Sequence, residues 1–242
     1  MPALTNAIFN SGILSHYERN IPEAERLASE VIALSTQYNF AFWLAIGSIL
    51  RGWARSASGA TAEGVACIDN GIEDYRAAGQ VLGMPYFLGL KAEALYLAER
   101  TSEALEAIKE AQAFAQRSSA HCWSAELHRL RGVFLTALDA EEAEIDASFC
   151  AAIRVAREQK SVSLQKRAEA TYTEYRTQKA SWSGDMDSGC LFGDCSQCAV
   201  SRFGCGKSSV IKQTLEMQSE EHFGYKRSAK RSVLSQGCWV NS

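Results

Sequence analysis

Apolar residues recur at three- and four-residue spacing along "FWLAIGSILRGWARSA" (Phe42–Ala57) and "AELHRLRGVFLTAL" (Ala125–Leu138). That spacing lines one face of a helix. "EALEAIKEAQAFAQ" and "EIDASFCAAIRVAREQ" follow the same rhythm, with Glu early and Lys or Arg later, as the helix dipole favours. Short polar links, "SASGAT", "ERTS" and "LDAEE", separate these segments. Helices joined by such short links fold back antiparallel. Only three prolines, Pro2, Pro22 and Pro85, interrupt the chain, which suits a helix-dominated protein.

The pattern repeats. Gly12, Gly52, Ala92 and Gly132 stand 40 residues apart, and Glu23, Glu63 and Glu103 keep the same interval, with Glu144 one residue late. Two further columns, Ala24/Gly64/Ala104/Ile145 and Val31/Gly71/Ala111/Ala152, stay in register. Small residues at a fixed period let one helix approach its partner closely. The expected fold is all-α, a right-handed superhelix of antiparallel helix pairs with a period of about 40 residues. The repeats are read at about 3–40, 41–80, 83–118 and 121–160, with a terminal helix at 162–176, inside a domain spanning 1–180.

"LRGWA" (Leu50–Ala54) and "EALEAIKEA" (Glu103–Ala111) resemble the tetratricopeptide repeat (TPR), a helix–turn–helix unit. Residues 1–180 are more specifically similar to the C-terminal repeat region of bacterial adenylate/guanylate cyclase-like ATPase regulators. "ERLASEVIALSTQYNFAFWLAIGSILRGWA", "AELHRLRG" and "SLQKRAEATYTEYRTQKAS" carry that similarity. In such regulators the repeats follow a cyclase domain and an ATPase domain, and neither is found in this chain. The resemblance implies a non-enzymatic interaction or regulatory module in signal transduction.

Composition narrows the classes. A net charge of −3 gives no overall attraction to nucleic acid. There is no apolar run long enough to span a membrane and no signal-peptide pattern, so a cytoplasmic protein is expected. The first helix of each pair should line a concave groove. Counting along those helices places Trp53, Tyr86, Glu93, Glu126 and Arg129 there as candidates for reading a protein or peptide partner, with Trp53 the nearest to plain core. No catalytic constellation and no cofactor site is read. His121 and His128 are two helical turns apart, and Glu141 with Glu142 reads as a solvated turn.

After residue 180 the periodicity stops. Residues 181–242 are rich in Cys, Gly and Ser and are expected to be disordered or unrelated to the repeats. Cys190, Cys195, Cys198 and Cys205 form the alternative site, since four thiolates suit zinc. Cys190, Cys195 and Cys198 also match three ligand spacings of an iron–sulfur loop, with Cys238 available as a fourth. The Gly-Lys-Ser at Lys207 lacks the first glycine of a phosphate loop, because Ser201 occupies that position.

Overall fold

The structure, a computed structural model, describes residues 2–118 and 120–187, with side chains as far as residue 181. The described residues contain helices and no strand. Four helix pairs follow one another: α1 (Pro2–Tyr17) with α2 (Ile21–Gln37), α3 (Ala41–Ala57) with α4 (Thr61–Ala77), α5 (Met84–Leu97) with α6 (Thr101–Ser118), and α7 (Ser124–Ala137) with α8 (Glu142–Glu158). A short 3₁₀ turn, His121–Trp123, leads into α7, and α9 (Val162–Asp187) closes the array. Helix α9 therefore runs past the 162–176 span and past the residue 180 boundary read from the pattern. The tail cysteines and Lys207 lie outside the described residues.

Each helix packs on the next, and the first helices also touch in a row of their own: α1 on α3, α3 on α5, α5 on α7 and α7 on α9. That row forms the inner side of the array. Leu50, Ile46, Ile49, Ile68, Leu88, Leu95, Phe134 and Phe149 are all but fully buried between the layers. Burying aliphatic and aromatic side chains of this size contributes about 1.5–3 kcal/mol each. The prolines sit where they do no harm: Pro2 opens α1, and Pro22 and Pro85 fall in the first turns of α2 and α5.

The backbone explains the period. It turns left-handed at Arg19, Asn39, Gly59, Gly79 and Glu99, 20 residues apart, and again at Asp139 and Lys160. After each of these residues the next amide reaches back to a carbonyl five positions earlier. Examples are Asn20 N–H to Ser15 O at 2.9 Å, Ala60 to Arg55 at 3.0 Å, Arg100 to Leu95 at 2.9 Å and Ser161 to Ala156 at 2.9 Å. This is the Schellman stop, which satisfies carbonyls that the helix end would leave unpaired. Two such stops make one 40-residue pair. Five of the seven are not glycine, and each L-residue there costs about 1–2 kcal/mol. Lys160→Gly is accordingly expected to raise the unfolding free energy by about 0.5–1 kcal/mol in a urea melt. An unchanged or lower value would show that no strain is stored there.

The small-residue columns lie where the two helices of a pair cross. A Cβ added at Gly64 would stand 2.1 Å from Ser56 Oγ and 2.5 Å from the Gly52 carbonyl oxygen. Backbone cannot rotate out of the way, so α3 and α4 would have to separate. Gly64→Ala should lose about 1–3 kcal/mol by overpacking, outweighing the gain in helix propensity of about 1 kcal/mol. Gly89→Ala is the control. Its new methyl meets nothing nearer than Leu127 Cδ2 at 3.5 Å, and its melting midpoint should hold or rise.

Candidate functional site

The five residues expected in the groove do come together on the inner row, but they are buried there. Glu93 is 2% exposed, Arg129 1% and Trp53 1%, with Tyr86 and Glu126 close behind. Their side chains therefore meet one another rather than open solvent. The inner faces of α1, α5, α7 and α9 approach so closely that their polar side chains bond one another across the interior. The most distant link joins the ends of the array: Arg167 of α9 donates to the Tyr17 carbonyl of α1 and its guanidinium lies 5.4 Å from the Tyr17 ring centre.

Two carboxylates organise the cluster. Glu93, on α5, accepts from His16 Nε2 at 3.3 Å, from Trp53 Nε1 at 3.1 Å and from Arg19 Nη1. The Arg19 guanidinium also lies 5.6 Å from the Trp53 ring centre, and the His16 ring meets Trp53 edge-on at 4.5 Å. Glu126, on α7, is gripped by Arg129 through Nε at 3.0 Å and Nη2 at 2.7 Å, and it accepts from Arg167 Nη1 at 3.2 Å. Arg129 Nη1 continues to Thr171 of α9 at 3.4 Å. Five helices, α1, α3, α5, α7 and α9, and the α1–α2 link are tied by these bonds, and the charge-assisted ones among them are about twice as strong as neutral ones.

Charge states follow from the surroundings. Burial pushes the Glu93 carboxyl up, but Arg19 and His16 together outweigh it and hold the group well below the usual carboxylate range. Burial likewise opposes ionisation of Glu126, and Arg129 with Arg167 brings it down to about 2. The His16 imidazole is lowered chiefly by burial, against the pull of Glu93. A neutral His16 that donates from Nε2 to Glu93 leaves Nδ1 as an acceptor. Tyr86 O–H, 3.2 Å away, is then the donor to it.

The chain Glu93–His16–Tyr86 has the outline of a proton relay. Burial holds the Tyr86 phenol well above its ordinary value, so no phenolate nucleophile is available near neutral pH. The arrangement orients groups and supplies no activated nucleophile.

Beside the cluster a narrow cleft between α1, α5 and α7 has a cavity volume of about 10 Å³, room for about one water molecule. Its polar wall is His16, Tyr17, Tyr86, Glu93 and Glu126, and its apolar wall includes Trp123 and Leu130. Trp123 stacks on Tyr86 with ring centres 5.8 Å apart. The other sequence candidates stay apart from it. His121 belongs to the 3₁₀ turn and does not share a helix face with His128, which bonds Gln112 at 3.2 Å. Glu142 ion-pairs with Lys179 and Arg176 of α9. Among the described residues no group of three or more His, Cys, Asp or Glu side chains could hold a metal ion, and no helix is long and apolar enough to cross a membrane.

Sequence reasoning missed His16, Tyr17, Arg19, Trp123 and Arg167. One signal was present: Glu93 sits 40 residues after Trp53, and Glu126 sits 40 after Tyr86, so polar groups replace aromatic ones on the inner face. Arg19 carried no such signal, because it stands in a turn.

Comparison with solved structures finds Bacillus thuringiensis PlcR in complex with the peptide PapR7 and DNA. It matches with a TM-score of 0.51 at 14% sequence identity, over 70% of this chain and 74% of that one. The fold is a TPR-like helical repeat. An uncharacterized protein of Rhizobium meliloti (strain 1021) is 29% identical over 126 residues, 52% of this chain. The match spans 12% of that relative's length. No family model matches the chain.

Proposed function

We propose that this chain is a non-enzymatic interaction module whose inner face, at the cleft between α1, α5 and α7, binds a peptide segment of a protein partner. The observation that carries the reading is the TPR-like array itself, whose inner helices bring aromatic, apolar and charged side chains together in one row. The narrow cleft among them must widen to admit a peptide side chain. The likeness to PlcR, solved with a bound peptide, supports the same use of this fold. That complex also holds DNA; the net charge of −3 here gives no overall attraction to phosphate, and the peptide alone is proposed for this chain. The resemblance to repeat regions of cyclase-like ATPase regulators, and the small share of the Rhizobium meliloti protein that is matched, support a role as one arm of a larger regulator.

The test is a random-peptide selection on the purified chain, followed by affinity measurements on a plugged variant. Gly89 lines the cleft and has room for one methyl group, so Gly89→Ala plugs it. Selected peptides are expected to bind the plugged variant at least about 10-fold more weakly, a loss of about 1.4 kcal/mol, with the fold intact by circular dichroism. Equal affinity for both proteins, or a selection that enriches nothing, would contradict the reading.

A further inference from the structure

Three arginines on this chain grip a carboxylate through the same edge. Arg26 holds Glu23 through Nε at 2.8 Å and Nη2 at 2.9 Å, and Arg100 holds Glu103 through the same two atoms at 2.7 and 2.6 Å. Arg129 holds Glu126 identically inside the cluster. The Nε–Nη2 edge presents two parallel N–H groups that match the two oxygens of a carboxylate. Arg19 departs from this. It reaches Glu93 through Nη1, while its Nε and Nη2 are buried and have no hydrogen-bond partner among the described residues. Arg19 as a whole is only 8% exposed. A buried guanidinium edge with nothing to donate to is costly, by the desolvation of each N–H.

The charge count points the same way. The interior cluster sets three guanidiniums, Arg19, Arg129 and Arg167, against two carboxylates, Glu93 and Glu126. Arginine does not deprotonate in proteins, so with His16 neutral one positive charge is left over, and protonating His16 would add a second. The Arg19 guanidinium carbon also lies over the Trp53 ring, 5.6 Å from its centre. Tyr17, two residues before Arg19, lines the cleft, so the edge and the proposed peptide site are neighbours along the chain.

We infer that the Nε–Nη2 edge of Arg19 receives a carboxylate from an acidic residue of the bound peptide. The inference rests on the peptide-binding reading above and names the chemistry of the ligand. A planar group with one negative charge and two oxygens matches both the edge and the single excess charge. A dianionic phosphate would reverse the imbalance. Because both N–H groups are buried, the carboxylate must displace what covers them, so binding is coupled to movement at the α1–α2 link.

The experiment takes peptides selected on the wild-type chain and converts each Asp or Glu in turn to Asn or Gln. One conversion is expected to weaken binding to the wild-type protein about 10- to 100-fold and to change binding to Arg19→Lys by less than about 3-fold. Arg19→Lys keeps the charge but lacks the paired edge. A second readout needs no variant: the Arg19 Nε–H resonance should shift when the acidic peptide binds and stay in place with its amide counterpart. Selected peptides without acidic residues, or with affinities indifferent to every conversion, would overturn this inference and leave the peptide site standing. Loss of the peptide to inorganic phosphate at equal concentration would overturn it in favour of a phosphate-type anion. A selection that yields no wild-type binder removes both.

Discussion

Glu93→Ala is expected to lower the unfolding free energy by about 3–5 kcal/mol, the usual cost of removing one partner from a buried ion pair. The substitution strips Arg19 of its counter-ion and leaves His16 Nε2 and Trp53 Nε1 without their acceptor, all in the interior. Three groups on two other elements, α3 and the α1 end, depend on this one carboxylate. Glu93→Gln keeps an acceptor oxygen and should lose less, separating the hydrogen bonds from the charge. Glu103→Ala removes an exposed partner of Arg100 and should leave the midpoint unchanged. Urea melts of the three variants decide the matter. A loss at Glu93 no larger than at Glu103 would mean that the cluster contributes nothing to the fold.

Acid should unfold the protein in two stages. The Glu126 carboxyl lies at about 2 in the fold against an ordinary 4.5, so it binds its proton later in the folded chain than in the unfolded one. Its stabilisation is fully present above about pH 4.5 and is lost as pH falls towards 2. The difference corresponds to about 3 kcal/mol. Glu93, also held low, adds in the same direction below about pH 4.5. His16 acts earlier. Its folded value is depressed below the ordinary 6.5, so the unfolded chain takes up the proton first and stability begins to fall below about pH 6.5. Urea midpoints are therefore expected to be level above about pH 7, to decline gently towards pH 5 and to drop steeply below 4.5. In Glu126→Gln the steep limb should be shallower. A midpoint that rises on acidification would contradict the assigned charge states.

The helix pairs were legible because their spacing is enforced by contact. Gly52, Gly64 and Gly71 cannot be enlarged without pushing α3 from α4, so small residues mark the crossing in the sequence itself. The helix stops were harder to read. Glycine would have announced a left-handed residue, yet Arg19, Asn39, Glu99, Asp139 and Lys160 take that conformation because the Schellman bonds and the packing beyond them hold it. Trp53, Tyr86, Glu93, Glu126 and Arg129 could be placed on the inner face by counting along their helices. That they bond one another could not, because the tightness of the superhelix is set by many side-chain contacts together. Arg167 meets Tyr17 across 150 positions of chain, a contact no local pattern encodes.

On the proposed peptide-binding reading, the groups held by ion pairs have lost their rotamer freedom before a ligand arrives, and the ordering cost of binding falls on the α1–α2 link that has to move.

Hydrogen exchange with and without a selected peptide tests the central claim most directly, because it reports which backbone segments the partner covers or stiffens. The account predicts added protection at the C-terminal end of α1 around His16 to Arg19, along Tyr86 to Glu93 of α5, and from Trp123 to Leu130 at the start of α7. Protection confined to the outer helices α2, α4, α6 and α8, with those three inner segments unchanged, would contradict it.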